Sequence, residues 1–311
     1  MMAITEPQVQ EDIGINQIRL LLFPNPAVII IQRAKQTTNC IVIIILITII
    51  LALLHKIHSK FMFVTLVMSE LFPGKCGKEL RALLTAYTTQ NHTTLGYSKA
   101  RQEMYGYIYN SPIDQADYCV YTGSRMPCVY DSMDSSCNAA LNCEHTVPQS
   151  FFNKQNPMVS DLHHLRATWS TANGARATYP FAELSDSQIS TYYGTNFQVN
   201  NSRPTDPQNW SALRKGWAFM PREQQKGDTA RAVAYFYVRY PTQAGAVTRV
   251  FSSVYDMIDW DEKFAPSQLQ MEQYQRAVEV QGNKNPFQEE RGMVARAYCD
   301  MSKNYPCSKY Q

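Results

Sequence analysis

The side chains best suited to chemistry are concentrated in Asn142–Phe152, centred on CEHTVPQSFF, and in DLHHLRATWSTANGARATYP over 161–180. His145 titrates near neutral pH and can take a proton from water. Glu144 beside it offers an anionic oxygen, and Asn173, twenty-eight residues after His145, offers a neutral carbonyl oxygen. Oxygen donors of this kind suit Mg²⁺, with Mn²⁺ or Ca²⁺ as the other candidates; zinc would want Cys or His. A single carboxylate leaves coordination positions open for water and phosphate oxygens. A base, a metal and room for developing charge are what phosphodiester hydrolysis needs.

These groups converge only if the backbone aims them. Successive strand residues point to opposite faces, so Glu144 and His145 meet at one phosphate only where a strand ends. Pro148 supplies such an end, because it cannot sit in a central ladder. Ser170 is placed to cap a short helix carrying Asn173 and Arg176 near its start, where free N–H groups favour anions. His163 and His164 would diverge in a strand and no third zinc ligand is spaced to join them, so they read as structural hydrogen-bonding groups. Asn173-Gly174 taken alone is a turn signal; only its surroundings make Asn173 a ligand.

The elements that must carry these residues lie in 71–311. Gly77–Thr88 has helical spacing at Leu80, Leu83, Leu84 and Tyr87. Tyr97–Tyr109 fits either helix or strand, Asp117–Tyr121 alternates like a strand, and Cys143–Thr146 is a second short strand. Asp228 is placed as the N-cap of a helix with its body at Thr229–Tyr240, and Gln268–Val280 is an amphipathic helix ended by Gly282. Helices and short strands alternate without a βαβ rhythm, so the expected class is α+β.

Composition sets the frame. Of 311 residues, 45% are hydrophobic and 18% charged, too apolar for a disordered chain. Residues 1–69 hold five Lys/Arg against three Asp/Glu, leaving 24 positive and 23 negative beyond them. Global charge therefore gives no argument for a nucleic-acid partner; a basic cleft would have to be built locally, from Lys154, Arg166 and Arg176. Cys40–Leu54 is an apolar run flanked by Arg33 and Lys35 before and Lys56 and Lys60 after. Its fifteen residues suit the core of a signal peptide or a short signal anchor. Residues 1–70 are thus expected to be a targeting leader, cleaved or retained as a membrane anchor, with a secreted or luminal domain at 71–311. Seven cysteines follow Cys40, none with the C-x-x-C spacing of a zinc knuckle, and are expected to form three disulfides with one thiol over. Asn91, Asn200 and Asn209 open glycosylation sequons.

Four ordered motifs carry a resemblance. Glu144-His145-Thr-Val-Pro148, Asp161-Leu-His-His-Leu165 with Asn173-Gly174-Ala-Arg176, Lys226-Gly227-Asp228-Thr-Ala-Arg231-Ala232, and Gln281-Gly282-Asn283-Lys284-Asn285-Pro286-Phe287 together resemble the endonuclease I family of secreted and periplasmic nucleases. The resemblance covers about residues 117–290 and implies a ββα-metal, or His-Me finger, core. It implies that His145 is the general base and that Glu144 and Asn173 hold one Mg²⁺. It also implies 5′-phosphate products from DNA, and RNA as a further substrate, with little sequence preference. Arg176 matches the family's Arg after Asn-Gly and is expected at substrate phosphate. The segment between His145 and Asn173 is shorter than in bacterial members, and Arg166 or Lys154 is the substitute for any phosphate-binding Arg placed there. The protein is expected to be a monomer that touches membrane only through its leader, if that leader is uncleaved. The competing reading is a catalytically inactive relative that binds nucleic acid at a surface; the presence of all three site residues favours the enzyme.

Overall fold

Leu80, Leu84 and Thr88, at helical spacing, form the buried face of the first helix of the described chain, α1 (Gly77–Thr89). The structure, a computed structural model, describes residues 70–310 except 114, 129 and 131–140, all within the second of two units into which contacts divide the chain, 1–68 and 69–311. The expected leader lies outside the described residues. Among those residues no helix is long and apolar enough to cross a membrane.

Tyr97–Tyr109 is helical: α2 (Tyr97–Glu103) runs on into a π turn at Met104–Ile108. Strands β1 (Asn110–Ser111), β2 (Ala116–Tyr118) and β3 (Arg125–Pro127) form an antiparallel sheet in that order. The strand expected over Asp117–Tyr121 is shorter, because a tight turn intervenes: Gly123 N–H bonds to the Cys119 carbonyl at 2.7 Å and Cys119 N–H to that of Ser124 at 2.9 Å. Strand β4 (Leu141–His145) pairs antiparallel with β5 (Leu165–Trp169), and α3 (Ser170–Arg176) follows without a break. Ser170 is the first helical residue, not the cap; Trp169 takes that place. Strands β6 (Thr191–Gly194), β7 (Gln198–Asn200), β8 (Ser211–Arg214) and β9 (Ala218–Met220) form a third antiparallel sheet in the order β7-β6-β8-β9.

The central helix α4 (Glu223–Arg239) is buried on nearly every side from Gln225 to Val238. It begins five residues before the expected cap, so Asp228 lies inside it. A glycine here reads as a helix break in the sequence, but a Cβ on Gly227 would lie 2.0 Å from the Phe264 carbonyl oxygen. Gly227 marks a close approach of backbone, not an end. Around α4 pack α1 and α5 (Val254–Lys263). Next come α6 (Gln268–Gln281), opened by a Ser267/Gln270 capping box and ended by Gly282 at φ 91°, then α7 (Pro286–Glu289) and α8 (Met293–Tyr298). Helix α8 packs against α1, and Arg296 donates to the carbonyls of Leu71 and Phe72 at 2.9 and 2.8 Å.

The mixture of helices and small antiparallel sheets is α+β, as the sequence indicated. The cysteine expectation is corrected. Cys299 and Cys307 form a disulfide and Cys128 is disulfide-bonded, but Cys76, Cys119 and Cys143 are free thiols. Cys119 and Cys143 serve other ends: Cys119 Sγ accepts the Trp169 N–H at 3.0 Å, and burial pushes the Cys143 thiol up to about 12.

Asp117 on β2 is fully buried, and among the described residues both its carboxylate oxygens lack hydrogen-bond partners, as does Oδ1 of Asn110 directly opposite on β1. Burial raises its carboxyl to about 8 from 3.8. The unfolded carboxyl ionises first, so stability declines as pH rises from about 4 to about 8. Asp117→Asn is expected to stabilise the protein by about 2–4 kcal/mol at pH 8 and by little at pH 4. Urea unfolding at both values checks this; an equal change at both would contradict it.

Candidate active site

The candidate residues ride on the β4–β5–α3 segment. In its register Asn142 faces Thr168, Glu144 faces Arg166, and His145 faces Leu165. Asn142 and Glu144, two residues apart, therefore share one face, and His145 takes the other. The ladder ends at His145: a further bond from Thr146 N–H to the His164 carbonyl at 3.0 Å is followed by Pro148, so Glu144 and His145 sit where the strand stops.

Glu144 is 2% exposed. Its Oε1 accepts the Tyr121 hydroxyl at 2.7 Å and lies 3.3 Å from the Arg176 guanidinium. Burial raises its carboxyl above the ordinary range, while Arg176, Tyr121 and Arg166 oppose that rise. Oε2 has no hydrogen-bond donor among the described residues. Tyr121 is itself fixed, with Ser211 Oγ donating to its carbonyl at 2.6 Å and Phe219 packed at 4.9 Å between ring centroids.

His145 is 4% exposed and lies among Tyr97, Phe152 and His164, with ring centroids 5.5, 6.3 and 5.6 Å away. Its Nε2 lies 3.1 Å from the Val159 carbonyl. A carbonyl only accepts, so Nε2 carries the hydrogen and the lone pair of the neutral ring falls on Nδ1. Burial lowers the imidazole to about 3, aided by His164 and Arg176 and opposed by the Val159 carbonyl. The ring is therefore neutral near pH 7, and Nδ1 has no hydrogen-bond partner among the described residues.

Asn173 is half-buried on α3, with Nδ2 donating to Asn142 Oδ1 at 3.2 Å and to the Cys143 carbonyl at 3.4 Å. Those bonds fix the amide against β4 beside Glu144 and leave Oδ1 without a donor among the described residues. A free carboxylate oxygen and a free amide oxygen form a hard donor pair that fits Mg²⁺.

The two arginines expected at substrate phosphate are engaged inside the protein. Arg176, 1% exposed, donates to the His145 and Thr146 carbonyls at 3.3 and 2.7 Å, pairs with Glu144, and lies over the Phe181 ring at 4.5 Å. Arg166, 5% exposed, donates to both carboxylate oxygens of Asp228 at 2.6 and 3.0 Å. Lys154 alone of the three is exposed, so together they line no basic cleft. Asp228 is a buried ion-pair partner rather than a helix cap.

The remaining motifs brace this arrangement. His163 Nε2 meets the Asn283 carbonyl at 2.9 Å and His164 Nε2 that of Met158 at 2.7 Å. Asp161 accepts the hydroxyls of Tyr235 and Tyr240 at 2.8 Å each and the Gln281 amide at 2.9 Å. Burial alone would raise its carboxyl, but the histidines around it and the Gln281 amide hold it down at about 2. Gln281 Oε1 also takes the Leu162 N–H at 2.7 Å, so the segment at 281–287 is a structural corner locked to 161–164. Sequence reasoning missed Tyr121 and Asn142. Asn142 was within reach, since its spacing places it on the face of Glu144; Tyr121 was not, because its approach depends on tertiary packing.

A family model described as Endonuclease I matches residues 75–291.

Proposed function

Because the chain belongs to the endonuclease I family, we propose that it is a Mg²⁺-dependent endonuclease with a ββα-metal site at Glu144, His145 and Asn173, hydrolysing DNA, and RNA as well, to 5′-phosphate ends. The observation that carries this reading is the set of atoms left over: Glu144 Oε2, Asn173 Oδ1 and His145 Nδ1 are each unengaged among the described residues while the rest of each side chain is held. Glu144 and Asn173 would hold the metal. A Mg²⁺ ion held there would supply positive charge that offsets the negative charge developing during phosphodiester cleavage. His145 Nδ1 accepts a proton from the attacking water, and the Val159 carbonyl keeps the ring in the tautomer that leaves Nδ1 open. Arg176 and Tyr121 position Glu144, and Asn142 positions Asn173. Arg166 acts on the scaffold through Asp228. The family and the apolar run at 40–54 support a secreted or luminal protein, anchored in the membrane if that run is retained.

Supercoiled plasmid is the direct test. The purified protein is expected to nick and then degrade it in Mg²⁺, leaving 5′-phosphate ends, and to stop when EDTA removes the metal. Folded protein that leaves plasmid and RNA intact in Mg²⁺, Mn²⁺ and Ca²⁺ would overturn the reading.

A further inference from the structure

Three sulfur atoms meet where α1 begins. Cys76 is the residue before α1, and its Sγ lies within 4.8 Å of the sulfurs of both Cys299 and Cys307, which are bonded to each other. Cys76 is a free thiol. Cys76 and Cys307 are both half-buried, whereas Cys299 is 3% exposed. The Cys76 thiol points at the Cys307 carbonyl, 3.8 Å away. A thiolate next to a disulfide can displace one of its sulfurs without any oxidant.

We propose that Cys76, Cys299 and Cys307 form an intramolecular thiol–disulfide exchange site, in which Cys307 is bonded alternately to Cys299 and to Cys76. Cys76 gives its proton to solvent and its thiolate attacks Cys307 Sγ. The Cys76–Cys307 bond forms as the Cys299–Cys307 bond breaks, and the electron pair leaves on the Cys299 sulfur, which takes a proton from solvent. One disulfide and one thiol stand on each side, so nothing is oxidised or reduced overall. The Arg296 carbonyl oxygen lies 3.3 Å from Cys299 Sγ, placed to accept the hydrogen of the released thiol. Cys307 is the sulfur attacked because it is the more exposed of the pair and its backbone carries the Cys76 contact.

The two pairings differ mechanically. Cys299–Cys307 closes a separation of 8 residues, whereas Cys76–Cys307 spans 231 and ties both ends of the domain together. Longer closed loops restrict the unfolded chain more. Exchange therefore converts a local clip into a clamp on the whole domain.

Peptide mapping tests this. The full chain is quenched in acid, alkylated without reduction, digested and analysed by mass spectrometry, both as purified and after equilibration with reduced and oxidised glutathione. Cys76–Cys307 peptides are expected beside Cys299–Cys307 peptides. Cys299→Ser is expected to hold the Cys76–Cys307 bond and to melt roughly 5–10 °C above Cys76→Ser, which keeps only the short loop. Wild type that yields Cys299–Cys307 alone, with Cys76 fully alkylated under both conditions, overturns the proposal, and this map decides even if Cys299→Ser fails to fold. A Cys76–Cys299 link would overturn Cys307 as the sulfur attacked.

Discussion

His145→Gln is expected to cut plasmid about 10²–10⁴-fold more slowly than wild type while unfolding within a few degrees of it. Glutamine keeps most of the buried volume, and its amide can still donate to the Val159 carbonyl, so the loss isolates the missing base at Nδ1. Alanine would confound the result, because a void beside Tyr97, Phe152 and His164 costs stability on its own. Single-turnover cleavage at saturating Mg²⁺, paired with a thermal melt, is the measurement. Activity within a few-fold of wild type would remove His145 from the chemistry. Glu144→Gln serves as the companion: its rate should recover partly as Mg²⁺ is raised, whereas that of His145→Gln should not.

The second large effect concerns stability. Arg166→Met leaves the Asp228 carboxylate buried with only the amides of Gln225 and Gln288 as donors, and is expected to cost about 3–5 kcal/mol. Arg166→Met combined with Asp228→Leu should regain much of that loss, because the uncompensated charge is gone. A double-mutant cycle in urea reads the coupling. Below its melting temperature the Arg166→Met protein should still cleave DNA at a rate near wild type. A hundredfold slower rate with an unchanged melting curve would return Arg166 to the substrate.

Helix α6 and strand β4 were legible because local signals agree there: apolar spacing, a glycine at the end, a proline closing a strand. The start of α4 was misread because Gly227 and Asp228 look like a break and a cap in isolation. The reasons for both, Phe264 and Arg166, lie 37 and 62 residues away in sequence. The same limit explains the arginines. The local sequence of Arg166 and Arg176 does not distinguish an arginine open to solvent from one engaged inside the protein, and only burial separates them. The cysteine count gave parity without partners, and two thiols proved to be packing and hydrogen-bonding groups. Glu144, His145 and Asn173 were accessible as chemistry, but the groups that hold them, Tyr121 and the Val159 carbonyl, come from other parts of the fold.

The packing of α1 against α8 has a consequence during synthesis. Leu80 and Leu84 leave the ribosome early, yet α1 packs against both α4 and α8, and the second of these begins at Met293, about 200 residues later. At ordinary elongation rates that is a delay of roughly 10–40 s. Over that interval the apolar stripe is incompletely covered, and a chain released before Arg296 lacks the guanidinium that binds the carbonyls of Leu71 and Phe72. Premature termination is therefore expected to produce aggregates instead of partly active fragments.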